Sequence, residues 1–120
     1  MEIQILTDAG FCEASLKSEA EVAEIRQAIH DIKRLPKLHR WFDLLKDGTR
    51  FKLVVLLYYQ QRLCVCDLAN ILEVSSSAVS QHLRKLKDMN LVSVFRHKQT
   101  LFYELKDTEF REFLGDLLPG

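Results

Sequence analysis

The chain has little of what punctuates or cross-links a fold. Four glycines and two prolines in 120 residues exclude a collagen-like or loop-dominated chain and favour helices. Three cysteines, with a start Met1-Glu2-Ile3-Gln4 that has no basic, apolar leader character, argue against a disulfide framework. They point to the reducing cytoplasm, where thiols serve as ligands or redox groups. No apolar run is long. The most apolar, residues 53–59, falls far short of the ~20 residues a membrane-spanning helix needs, so no membrane partner is expected. Net charge is missing too, since 17 basic residues balance 17 acidic ones. Nor is there an internal repeat or a low-complexity segment.

What remains is 48% hydrophobic and 28% charged, the composition of one ordinary globular domain. Its charge is unevenly spread. Residues 1–36 hold seven acids and four bases, and residues 107–120 hold four acids and one base. Residues 75–106 hold six bases and two acids. That middle segment is the one whose field suits a polyanion.

Hydrophobic spacing gives the element order. Residues 1–17 lack periodicity and read as an N-terminal arm carrying Cys12. Ser18 and Glu21 form a capping box, and Val22, Ile25, Ile29 and Ile32 predict an amphipathic helix over residues 18–33. After Pro36 a second helix carries Leu38, Trp41, Phe42 and Leu45, with Gly48 as its expected terminator. Residues from Thr49 to Tyr59 are apolar on nearly every side, as in the buried centre of a small bundle. A short helix over residues 65–72 is expected to bury Leu68, Ile71 and Leu72. Ser75 or Ser76 caps the next one, which buries Val79, Leu83 and Leu86 at i, i+4, i+7.

Residues 91–95 and 100–105 read as a hairpin around a polar tip, Arg96-His97-Lys98-Gln99. A last helix, residues 107–118, carries Phe110, Phe113, Leu114, Leu117 and Leu118, more apolar surface than a lone surface helix needs. It and helix 18–33 are the candidate homodimer interface. This order is mainly α with a small β-hairpin, a winged helix-turn-helix. Residues 1–17 are the arm and residues 18–120 the DNA-binding and dimerisation domain.

Such a fold reads double-stranded operator DNA with the N-terminal part of its second helix and touches flanking phosphates with the wing. That assigns Ser76, Ser77, Ser80, Gln81 and Arg84 to the groove, and Lys85, Arg96 and Lys98 to phosphates, with His97 at the wing tip. Gln81 has the donor and acceptor to pair with adenine, and Arg84 suits guanine or phosphate. His82 sits beside the buried stripe and reads as a packing or hydrogen-bonding residue.

Cys64-Val65-Cys66 opens the short helix. Residues two apart diverge on a helix but share a side on an extended strand. The pair can therefore hold one ion only if Cys64 precedes the helix and Cys66 begins it. A helix N-terminus favours the thiolate that binds soft metals. Cys12 is the only other thiol in the chain, and three thiolates suit As(III) or Pb(II), or Cd(II) and Zn(II) with a fourth donor.

Leu63-Cys64-Val65-Cys66-Asp67-Leu68-Ala69-Asn70-Ile71-Leu72 resembles the metal-box helix of the ArsR/SmtB family of metal-sensing repressors, and Ala78-Val79-Ser80-Gln81-His82-Leu83-Arg84-Lys85-Leu86 resembles its recognition helix. Within the family the chain looks most like the cadmium/lead-responsive CadC type, whose arm adds cysteine to the pair. The resemblance covers about residues 37–118. It implies a homodimeric, cytoplasmic, non-enzymatic repressor that leaves DNA on binding Cd(II), Pb(II) or Zn(II), with Cys12, Cys64 and Cys66 as ligands. Three departures qualify it: the arm has one cysteine where that type has two, Ala69 stands where arsenic-type members have a third metal-box cysteine, and no histidine follows Asp107 and Glu109 to build the family's C-terminal site. An As(III) sensor on the same cysteines, or a thiol-redox or persulfide switch pairing Cys12 with Cys64 or Cys66, are the alternatives. A thiol enzyme based on Cys64 lacks any adjacent base or oxyanion glycines.

Overall fold

The fold comes from a computed structural model, which describes residues 17–120 in full and the backbone of two strands before them, residues 5–7 and 10–12. The chain divides into two units, residues 1–41 and 42–120.

In the first unit, β1 (Ile5–Thr7) and β2 (Gly10–Cys12) pair antiparallel, with Ile5 opposite Cys12. Both strands lie within the arm read from the sequence, residues 1–17. The side chains of this ribbon, Cys12 among them, lie outside the described residues. Helix α1 (Glu19–His30) starts on the expected capping box: the Ser18 hydroxyl accepts from the Glu21 N–H at 3.1 Å, and Glu21 accepts in turn from the Ser18 N–H at 3.3 Å. It ends three residues before the expected boundary. None of its residues is buried, and Ile25, Ile29 and Ile32 are exposed.

Helix α2 (Arg34–Leu45) runs across the division between the units. Gly48 does not terminate it. Asp47 instead caps α3 (Gly48–Gln60), its carboxylate accepting the Arg50 N–H at 2.9 Å, so Gly48 is the first residue of the next helix. The second unit continues with β3 (Leu63–Cys64), α4 (Val65–Leu72), α5 (Ser76–Asp88), β4 (Val92–His97), β5 (Thr100–Leu105) and α6 (Thr108–Leu117). Among the described residues no helix is long and apolar enough to cross a membrane.

One core holds this second unit together. Leu53, Val54 and Leu57 of α3 are sealed, as are Leu68 of α4, Val79, Leu83 and Leu86 of α5, Leu91 and Val92 at the entry to β4, and Phe110 and Leu114 of α6. The three α5 residues are those the i, i+4, i+7 spacing selects. Ile71 is a correction: it is 52% exposed, and Ala69 is buried in its stead. Helix α4 has only eight residues, about two turns, so its inward stripe is narrow and closes on Leu68 and Ala69.

The hairpin is longer than expected. Strands β4 and β5 pair from Val92–Leu105 out to His97–Thr100, leaving a two-residue tip, Lys98-Gln99, with Lys98 at φ 58°. Arg96 and His97 are thus strand residues. A third strand joins the hairpin: Leu63 pairs with Tyr103 and Cys64 with Phe102, giving the order β3-β5-β4. No sequence signal marks a two-residue strand.

This core gives an asymmetric expectation for truncation. Leu83→Ala should cost about 3 kcal/mol or more, because the sealed site cannot refill with water, whereas Ile71→Ala should stay within about 1 kcal/mol. Urea unfolding of the two variants measures both.

Candidate nucleic-acid interface and thiol pair

Helix α5 is set by its own buried stripe. With Val79, Leu83 and Leu86 inward, Ser76, Ser77, Ser80, Gln81, Arg84 and Lys85 are all exposed. Ser75 caps the helix, its hydroxyl accepting the Ala78 N–H at 3.1 Å. The turn from α4 is made by Glu73 in the left-handed region at φ 57°. On the wing, Arg96, His97 and Lys98 are exposed. All nine sequence-named contact residues therefore lie on two neighbouring surface elements of one unit.

Between α5 and the wing lies a cleft of about 720 Å³ whose lining includes Ser80, Arg84, Lys87, Asn90, Ser93 and Lys106. Its three cations, Arg84, Lys87 and Lys106, face one acid, Asp88. Lys87 and Lys106 were not singled out from the sequence. Only the local excess of basic residues over 75–106 hinted at them.

A second group that the sequence did not reveal anchors α5 from behind. Arg50 is 6% exposed, the one charged or polar residue buried among those described. Its Nε donates to the Leu44 carbonyl at 2.6 Å, and its Nη1 lies 3.4 Å from His82 Nδ1. Asp47 Oδ1 sits 3.9 Å from His82 Nε2. With Arg50 donating, Nδ1 accepts and the imidazole proton belongs on Nε2, toward Asp47. His82 is thus a half-buried hydrogen-bonding residue, as its place beside the stripe suggested. Burial holds its pKa below the usual 6.5; the attraction of Asp47 opposes this, and the Arg50 and Lys85 cations reinforce it. Asp47 is held below 3.8, first by the Arg50 N–H, with His82 and Arg50 adding to it against a desolvation cost.

The thiols occupy the arrangement the spacing required. Cys64 is the N-cap residue of α4, with extended backbone (φ −92°, ψ 167°), and its side chain makes no capping bond. Cys66 lies in the first helical turn. Both are free thiols, Cys64 half-buried and Cys66 exposed. Two soft donors at the mouth of a helix suit a thiophilic ion, but two do not fill its coordination shell. Among the described residues no group of three or more His, Cys, Asp or Glu side chains could hold a metal ion.

A short helix, a tight turn, an exposed amphipathic helix and a two-stranded wing define a winged helix-turn-helix. The sequence profile of the arsR family of bacterial regulatory proteins matches residues 47–94, from the α3 cap to the middle of β4. The cadmium resistance transcriptional regulatory protein CadC homolog of Staphylococcus aureus is 36% identical over 73 residues, 61% of this chain and 60% of that protein. The chain thus spans less than two thirds of that relative's length. The transcriptional repressor SmtB homolog of Synechocystis sp. is 33% identical over 80% of this chain and 72% of its own. Among solved structures, HlyU from Vibrio cholerae is 32% identical, with a TM-score of 0.62 over 72% of this chain and 96% of that one. The chain belongs to the arsR family of bacterial regulatory proteins. The named relatives are regulators and not enzymes.

The half-buried His82 has a consequence for stability against pH. Because the folded state binds the His82 proton less readily than the unfolded chain does, stability is full above about pH 6.5 and falls as pH drops through that value toward the lower folded pKa. The Asp47 contribution persists further and is lost only below its ordinary value of 3.8. Urea midpoints between pH 7.5 and 5 should decline for the wild type and flatten in His82→Gln.

Proposed function

We propose that this chain is a metal-responsive transcriptional repressor, which binds double-stranded operator DNA when metal-free and releases it on taking up a thiophilic ion. The observation that carries the reading is the seat of Cys64 and Cys66: both lie at the N-terminus of α4, the helix that leads through one turn into the exposed α5. Cys12 is the third donor in this reading, and the ion belongs to the Cd(II), Pb(II) or Zn(II) class. The similarity to a cadmium resistance regulatory protein homolog of Staphylococcus aureus favours cadmium among these. Whether the Cys12 of one copy serves its own Cys64–Cys66 pair or that of a second copy is an outcome of the ligand tests.

The protein residues act by position. Gln81 and Arg84 read base edges, Ser76, Ser77 and Ser80 line the groove-facing side, and Lys85, Arg96, His97 and Lys98 hold the duplex by its phosphates. Thiolates at Cys64 and Cys66, held with Cys12, tie the arm to the first helix of the motif and disfavour the DNA-competent arrangement. A bound soft cation supplies the charge that keeps three thiolates together. The active species is a homodimer through helix 18–33 and the C-terminal helix 107–118, supported by the exposed Ile25, Ile29, Ile32 and Leu117. This function belongs in the cytoplasm.

Fluorescence anisotropy with a palindromic duplex from the DNA flanking its own coding sequence tests the reading. Cd(II) should weaken binding by roughly 5- to 150-fold in the wild type, and by far less in Cys12→Ser or Cys64→Ser. Unchanged affinity with Cd(II), Pb(II), Zn(II) and As(III) alike would refute it. The DNA contacts have a separate signature. Lys98→Ala should weaken binding about equally across sequences and lower the salt slope by about one, whereas Gln81→Ala should relax discrimination at one base pair by about 1–3 kcal/mol.

A further inference from the structure

The thiol pair has a connection to DNA besides the helix turn. Strand β3 carries Cys64 into the wing's own sheet, where it pairs with Phe102 of the central strand β5. Phe102 is opposite Phe95 of β4, and the two rings stack with centroids 5.8 Å apart. The guanidinium of Arg62 lies over the Phe95 ring, 4.3 Å from its centroid, and its Nε donates to Glu104 Oε2 of β5 at 3.2 Å. Arg62 is two residues before Cys64, and Phe95 immediately precedes the exposed Arg96 and His97. Arg62, Phe95, Arg96, His97 and Phe102 line one shallow pocket of about 490 Å³.

The approach to β3 is tightly folded. Gln61 adopts φ 62°, ψ −65°, and the Arg62 N–H donates to the Gln60 carbonyl at 2.7 Å. That is a three-residue γ-turn of the rare, strained kind. Arg62 is therefore not a loose surface residue, because a fixed turn precedes it and a strand pairing follows. An exposed Arg–Glu pair alone contributes little to stability; an arginine that also covers an aromatic ring of the adjoining strand fixes a position as well.

We propose that Arg62 is a positioning residue that couples the state of Cys64 to the wing. Through the Arg62–Phe95 contact and the β3–β5 pairing, a change at the Cys64 sulfur alters the set of the strands that carry Arg96, His97 and Lys98. This route rests on the repressor reading only for its outcome on DNA; the mechanical link from thiol to wing stands by itself.

Hydrogen exchange of the full chain, read by mass spectrometry on peptides spanning β4 and β5, tests it alongside the thiolate-to-cadmium absorbance band. Saturating Cd(II) should change wing exchange by about fivefold or more in the wild type. In Arg62→Met the change should fall below about twofold, with the cadmium titration and the urea midpoint little altered, and Arg62→Lys should restore part of it. A saturated cadmium band without any wing response, or a full response in Arg62→Met, overturns the coupling while leaving metal sensing intact. Should no cadmium band form, sensing fails and the coupling is read with N-ethylmaleimide on Cys64 alone, in a Cys12→Ser, Cys66→Ser chain. Alkylation should then perturb the wing in the Arg62 protein and not in Arg62→Met, and a silent wing in both overturns the proposal.

Discussion

Burial of three side chains, Val79, Leu83 and Leu86, sets which face of α5 the protein exposes. Each is sealed against the second unit's core, and a helix with one such stripe has no freedom to rotate. Everything α5 offers to a partner follows from that: serines near its start, then Gln81, Arg84 and Lys85. Arg50 reinforces the setting from behind, holding the Leu44 carbonyl and facing His82 of the same helix. A buried arginine is tolerated here because its donors find partners, and removing either side would leave an unpaired polar group inside.

The small sheet imposes a second constraint. A hairpin of two strands is marginal by itself, and here β5 gains a second neighbour in Leu63-Cys64, the third strand of the sheet. The residue that caps α4 is thus also a sheet residue. Helix start and thiol share one stretch of backbone, and that stretch pairs with the wing's β5, so in the proposed repressor the ligand site and both DNA-facing elements are neighbours within a single unit.

Much of this was legible in the sequence, and the reasons differ by element. The stripe of α5 was visible because its helical period persists over enough residues to stand out, and the hairpin because two runs rich in Val, Phe, Tyr and Leu flank a polar tip. The seat of Cys64 and Cys66 followed from reading the helix start at Val65, with Cys64 just ahead of it and Cys66 in its first turn. Gly48 misled because glycine is the usual helix terminator, whereas this chain ends elements on other residues: Gln61, Glu73 and Asn90 all have positive φ. Ile71 misled because a two-turn helix buries a narrower stripe than its apolar residues suggest. Strand β3 was invisible at two residues, and Arg50 read as an ordinary basic residue because its partners, Leu44 and His82, are brought to it only by the tertiary fold.

The central claim is a coupling between thiol ligation and DNA binding, and coupling is reciprocal. Its most direct test is the Cd(II) affinity of the chain, measured by competition with a chelator, with and without a saturating operator duplex. The account expects the duplex to weaken Cd(II) binding by the same factor by which Cd(II) weakens the duplex, roughly 5-fold or more. Equal Cd(II) affinities in the two conditions would contradict it.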